Sequence, residues 1–203
     1  MQQHLTPWMI ESAYRYCEAA KYLLTGYDMM AVAQVNAAIG MEILLKSFVA
    51  RPSGNHGQVN ETYDLDLKLI NDAHRELQHA GKIAADDKRV DKHDLLTLFY
   101  AVPADIRSRL RFDHEEEWIE RYRNVFTNAR YPYEARSRKG YSDTLIRVLD
   151  TMIENVVQWY RDQDCQDVFI VCYGMTPADL WSSFKIGQTL QPLQYGAFSD
   201  YDF

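Results

Sequence analysis

Apolar residues along this chain recur mostly at helical spacing. The clearest run follows Ser142, which stands where an N-cap belongs. Leu145, Leu149, Met152, Val156 and Trp159 form one stripe there, with Ile146, Ile153, Val157 and Tyr160 beside it. A first helix is predicted from Thr6-Pro7, a cap followed by a proline whose missing N–H costs nothing in the first turn. Its spaced positions are Trp8, Ala13, Tyr16, Ala20, Leu23 and Leu24, with Gly26 as its stop. A second helix is predicted over Asp28–Ala50. Val32, Val35, Ile39, Ile43 and Phe48 mark its apolar side. Ala31, Ala33, Ala37, Ala38 and Gly40 are small enough to admit a close partner, and Glu42 and Lys46 are spaced as a surface ion pair.

The middle of the chain is less regular. Residues 51–64 read as a loop, Leu65 to Ala80 as a polar helix, and 81–91 as a charged, mobile connection. A short helix follows, capped by His93 or Asp94, and Ala104–Leu110 adds another turn or two. Glu115–Ala129 is predicted as a helix with an acidic first turn and a stripe of Trp118, Ile119, Tyr122, Val125, Phe126 and Ala129. Tyr131-Pro132-Tyr133 breaks it. DVFIVCY at 167–173 suits one strand or a buried turn, and Thr176 with Asp179 opens a last short helix. One candidate strand cannot make an α/β sheet, so the expected class is all-α. The expected division is a helical body over 1–162 and a packed extension over 163–203.

Composition narrows the classes. A chain of 203 residues with 47% hydrophobic and 25% charged content suits one globular domain. No run approaches the ~18 apolar residues of a membrane span. The N-terminus lacks a basic start followed by an apolar run, so no secretory signal is expected. Cys17, Cys165 and Cys172 are too scattered for a disulfide framework. The expected setting is the cytoplasm. The sequence has no Gly-rich phosphate loop, no paired-cysteine motif and no histidine spacing for a metal, so neither a metal nor a cofactor is expected.

A net charge of −7 argues against a generic nucleic-acid coat. Residues 121–147 stand apart, with seven basic residues against two acids, Glu134 and Asp143. That stretch is read either as a phosphate-binding surface or as a solvated helix face.

Three segments carry a family resemblance. NAAIGMEILLKSFVA at 36–50, KHDLLTLF at 92–99 and FTNARYPYE at 126–134 occur in this order. Together they resemble the HEPN family, the higher eukaryote and prokaryote nucleotide-binding domains, over roughly residues 8–160. The resemblance implies an up-and-down four-helix bundle, often dimeric. It implies a place among toxin ribonucleases, phage-defence nucleases and non-catalytic binders of nucleic acid or nucleotides. Active members carry an arginine, often followed by asparagine, then four to six residues, then histidine. They cut RNA without a metal.

Arg123-Asn124 begins such a motif, but Arg130 stands where histidine is required. Arginine stays charged and cannot carry the proton. Arg51 with His56, and Arg107 or Arg109 with His114, satisfy the spacing in the wrong context. The candidate nucleic-acid-binding residues are therefore Arg123, Asn124, Arg130 and Tyr131: cations for phosphate and a ring for base stacking. His93, Asp94 and Glu134 are supporting candidates. Each has a structural alternative: His93-Asp94 as a helix cap, Glu134 as an ion-pair partner of Arg130 or Arg123, Glu42–Lys46 as a structural pair. The leading expectation is a non-catalytic, HEPN-like module that binds RNA or nucleotides as a homodimer, in phage defence or a toxin–antitoxin pair. An atypical metal-independent ribonuclease and a helical scaffold for a protein partner are the alternatives. No membrane partner is expected.

Overall fold

The computed structural model describes residues 6–55, 61–125, 141–176 and 178–179. It is mostly helical. Helices α1 (Pro7–Leu23), α2 (Met30–Lys46) and α7 (Thr144–Arg161) pack on one another. Between α2 and α7 lie a two-stranded hairpin, β1 (Ala50–Gly54) and β2 (Thr62–Leu65), then α3 (Leu67–His79), α4 (Leu95–Ala101), α5 (Ala104–Arg109) and α6 (Glu116–Tyr122). A short helix α8 (Val168–Cys172) follows α7. No helix among the described residues is long and apolar enough to cross a membrane. The chain divides into two units, 1–171 and 172–203.

The contacts fix how the long helices run. At one end the Thr6 hydroxyl reaches the Ser47 carbonyl and the Tyr160 hydroxyl, and the Thr6 N–H donates to Tyr160 Oη at 3.1 Å. At the other end Lys21 on α1 pairs with Asp150 on α7 at 2.5 Å, and Gln34 Nε2 donates to the Ser142 carbonyl at 2.6 Å. Helix α1 is therefore antiparallel to both α2 and α7. All nine stripe residues predicted for α7 are buried.

The predicted face of α2 needs correcting. Val32 is exposed and Val35, Ile39 and Ile43 are half-buried, whereas Ala33, Ala37, Ala38, Gly40, Met41, Leu44 and Leu45 are buried. Helix α2 is apolar nearly all round, so its large residues do not reveal the inner side. Backbone proximity decides instead. A Cβ on Gly40 would stand 2.8 Å from Leu149 Cδ2, 3.0 Å from the Ala13 carbonyl oxygen and 3.2 Å from Tyr16 Cβ. On α1 the buried stripe is Ile10, Ala13, Cys17 and Ala20, while Tyr16 is exposed. Burial, and next the Asp150 carboxylate, pushes the Cys17 thiol up to about 12.

Other elements depart from the sequence expectation for local reasons. Helix α2 stops at Lys46, and the expected loop at 51–64 contains a hairpin with a register shift between Pro52 and Gly54. Both strands of such a hairpin are edges, so a proline is tolerated where it would break a central strand. The helix expected over Glu115–Ala129 opens as a 3₁₀ turn at Phe112–Glu115 and continues as α6; residues 126–129 lie outside the described ones. DVFIVCY is helical, because Asp167 accepts the N–H groups of Phe169 and Ile170 while Arg161 donates to the carbonyls of Ile170 and Val171. The 81–91 connection is pinned. Gln78 Nε2 donates to the Asp87 carbonyl at 2.7 Å, and buried His74 donates Nε2–H to the same oxygen. In the second unit Thr176 and Asp179 form the expected reciprocal cap.

Gly40→Ala is expected to lower stability by about 1–3 kcal/mol, since backbone and a packed leucine both stand within the new methyl's radius. Urea denaturation followed by circular dichroism measures it; an unchanged midpoint would show that the three-helix contact is looser than described.

Candidate functional site

Three of the polar residues singled out in the sequence, His93, Asp94 and Arg123, lie around the start of α4. Asp94 is its N-cap and accepts from the Thr97 N–H at 3.3 Å and the Thr97 hydroxyl at 2.6 Å. Both of its oxygens also receive Arg123. Nε donates to Oδ1 at 2.9 Å and Nη2 to Oδ2 at 2.7 Å. Arg123 Nη1 donates to the Lys82 carbonyl at 2.9 Å, and the Leu95 N–H to the Arg123 carbonyl at 3.4 Å. One arginine thus joins the end of α6, the start of α4 and the connection after α3. The planar fork suits this two-point contact, which a lysine ammonium cannot copy. The side chains are 21% and 6% exposed, so the charges largely neutralise one another away from water.

His93 lies one residue before this lock and faces the other way. Its Nδ1 is 2.9 Å from Glu42 Oε1, and the same oxygen takes Lys46 Nζ at 2.5 Å. A carboxylate can only accept, so His93 donates from Nδ1. Glu42 and Lys46 are far less exposed than the surface pair expected from their spacing, at 14% and 16%. His93 itself is 58% exposed.

A second polar cluster adjoins the lock through Lys82. Its ammonium donates to Glu116 at 2.8 Å and Glu120 at 2.7 Å, and Tyr100 donates to Glu116 at 2.7 Å. The hydrogen bond from Lys82, then that from Tyr100, holds the Glu116 carboxyl below the usual carboxylate range. The same carboxylates raise the Lys82 ammonium. Arg107 lies over the rings of Tyr100 and Phe99, at 4.8 and 5.0 Å from their centroids. Apart from Arg107, named only for its spacing to His114, none of these five groups stood out in the sequence. Only the Glu116–Glu120 spacing, one turn of α6, offered a signal.

The structure thus brings His93, Asp94 and Arg123 to one corner, with Asn124 exposed just beyond α6. Arg130, Tyr131 and Glu134 lie outside the described residues. Among the described basic residues of the 121–147 stretch, Arg121 covers the Trp118 ring, Arg123 holds Asp94 and Arg147 pairs with Asp143. Glu134, the acid weighed as a partner for Arg123, lies outside the described residues, and Asp94, expected as a helix cap or supporting residue, takes that place. Arg109 ends α5, and His114 sits in the following 3₁₀ turn with its N–H on the Arg111 carbonyl. No group of three or more metal-ligating side chains occurs among the described residues. Comparisons with known protein families, curated proteins and solved structures return no match.

Two outcomes are expected. Arg123→Lys keeps the charge but loses the fork, and Arg123→Ala strands Asp94; the alanine variant should cost about 3 kcal/mol and the lysine variant less, read from urea midpoints. Glu116 titrates below its unfolded value, so its contribution is present above that value and fades as pH falls through the lowered one. Lys82→Met should flatten that acid-side decline, measured as urea midpoint against pH below ~5. A parallel decline in both proteins would show that the cluster is not the cause.

Proposed function

We propose that this chain is a HEPN-like helical module that binds RNA or nucleotides through the segment after α6, without cutting them. The observation that supports it is the meeting of residues from separate family-like segments. Glu42 and Lys46 come from the first, and His93 and Asp94 from the second. Arg123 stands three residues before the third and is tied to Asp94. The His93–Glu42 contact joins the first segment to the second, and the Asp94–Arg123 pair joins the second to the residues just before the third.

In this reading Arg123 acts by position. Turning it to a phosphate would leave Asp94 buried and unpaired, a cost of several kcal/mol. Its role is to set where residues 126–134 begin, and Arg130 and Tyr131 then supply the cation and the stacking ring. The missing histidine leaves the arginine motif without a proton carrier. A bundle that dimerises and serves phage defence or a toxin–antitoxin pair belongs to the same proposal.

One observation favours an atypical ribonuclease as the second reading. A carboxylate orients the His93 ring, as in acid–base pairs, and His93 directly precedes Asp94, which holds Arg123. Mixed RNA incubated with pure protein separates the two. Intact RNA, with binding that weakens as salt rises and is reduced about tenfold in Arg130→Ala, is the expected result. Cleavage by the wild type that is lost in His93→Ala and Arg123→Ala would replace the binding reading with the catalytic one. Absence of any salt-dependent binding to RNA or nucleotide would leave the helical scaffold.

A further inference from the structure

A cleft of about 420 Å³ opens between the corner after α5 and the outer face of α7. Its two walls differ in chemistry. On the α5 side stand Arg109 and Arg111, both exposed. Among the described residues, neither side chain makes an ion pair or a hydrogen bond, which sets them apart from Arg107, Arg123 and Arg147. Arg111 also holds a left-handed backbone, φ 58° and ψ 25°, a conformation an arginine adopts only under constraint. That turn carries its side chain at the cleft.

The α7 wall presents acceptors. Asn155, Gln158 and Asp162 are three and four residues apart and share one helix face. Asn155 Nδ2 donates to the Leu110 carbonyl at 3.1 Å, and Gln158 Nε2 to Asp162 Oδ1 at 2.8 Å. Both partners can only accept, so the amide orientations are settled and the carbonyl ends of both amides are left as acceptors. Trp159 closes the wall. Its indole stacks on Phe48 at 6.1 Å, and its buried Nε1–H has no acceptor among the described residues. A buried donor without a partner is uncommon and costly.

We propose that this cleft binds a small phosphate ester of a hydroxylated sugar, of the nucleoside monophosphate or sugar phosphate class. The phosphate meets Arg109 and Arg111, whose forks match its oxygens. The hydroxyl groups donate to Asp162 and to the amide oxygens of Asn155 and Gln158. A bare anion satisfies only the arginine wall and meets the Asp162 carboxylate across the cleft. A neutral sugar satisfies only the other wall. The cleft's lining shares no residue with the segment after α6, so Arg111→Gly tests this reading and Arg130→Ala the other.

Isothermal titration of the full chain with ribose 5-phosphate, adenosine monophosphate, inorganic phosphate and adenosine tests this. Saturable binding of at least one ester is expected, with phosphate about tenfold weaker or more and adenosine weaker still. Arg111→Gly relieves the left-handed strain, so its urea midpoint should not fall, while ester affinity drops about tenfold or more. Asp162→Asn should weaken the ester and spare phosphate. Equal binding of ester and phosphate, undiminished binding in Arg111→Gly, or no saturable binding of either ester would overturn the proposal.

Discussion

Three long helices share one core here, and α1, α2 and α7 meet at Gly40, where a side chain would not fit. The absent side chain lets Ala13 and Leu149 reach the α2 backbone together, from two different helices. Everything downstream is registered to that contact. It brings Thr6 under Ser47 and Tyr160 at one end, and Gln34 to Ser142 at the other. The Ser142 hydroxyl in turn shares a 2.7 Å hydrogen bond with the Tyr122 hydroxyl of α6, so the same register positions the helix that Arg123 caps. A tight pair of small-residue faces is a short-range constraint, yet through helix length it sets groups that are distant in sequence.

The Asp94–Arg123 lock works on a second level. The middle of the chain, from 47 to 122, contains short elements that bury little surface individually. Helix α4 has seven residues and α5 has six, lengths that cannot hold in water alone. An N-cap that also receives a guanidinium ties α4 to α6 and to the Lys82 loop at once. Charge is thereby used as cross-linking within the fold. A phosphate ligand would have to break the two-point contact and leave the carboxylate buried, so the lock and a direct phosphate site exclude one another at Arg123.

Legibility in the sequence followed the strength of periodicity. Helix α7 was readable because its polar and apolar faces separate cleanly, and α1 because proline and glycine bracket it. The inner face of α2 was not, since small residues rather than large ones pack there and hydrophobicity does not distinguish the two sides. The hairpin was hidden by Pro52 and Gly54, and α8 by three β-branched residues that Asp167 and Arg161 cap into a helix. In the site, the Asp94 cap and the Glu42–Lys46 pair follow from local spacing. The partner of Arg123 does not, because Asp94 is 29 residues away and only folding joins them.

This distinction between committed and uncommitted arginines bears on how an acidic protein can still meet a phosphate. The net charge of −7 describes the average surface, but recognition depends on which cations lack a carboxylate. Charge counted along residues 121–147 overstates what the described residues of that stretch offer. Arg123 is neutralised by Asp94, Arg147 pairs with Asp143 on the surface, and Arg121 lies on a tryptophan ring. Arg109 and Arg111, which no charge run in the sequence pointed to, keep their full donor capacity beside a cleft. The left-handed turn at Arg111 faces an α7 wall of Asn155, Gln158 and Asp162, and the Asp162 carboxylate accepts from Gln158 while pairing with neither arginine among the described residues. Geometry, more than composition, decides where this chain can hold an anion.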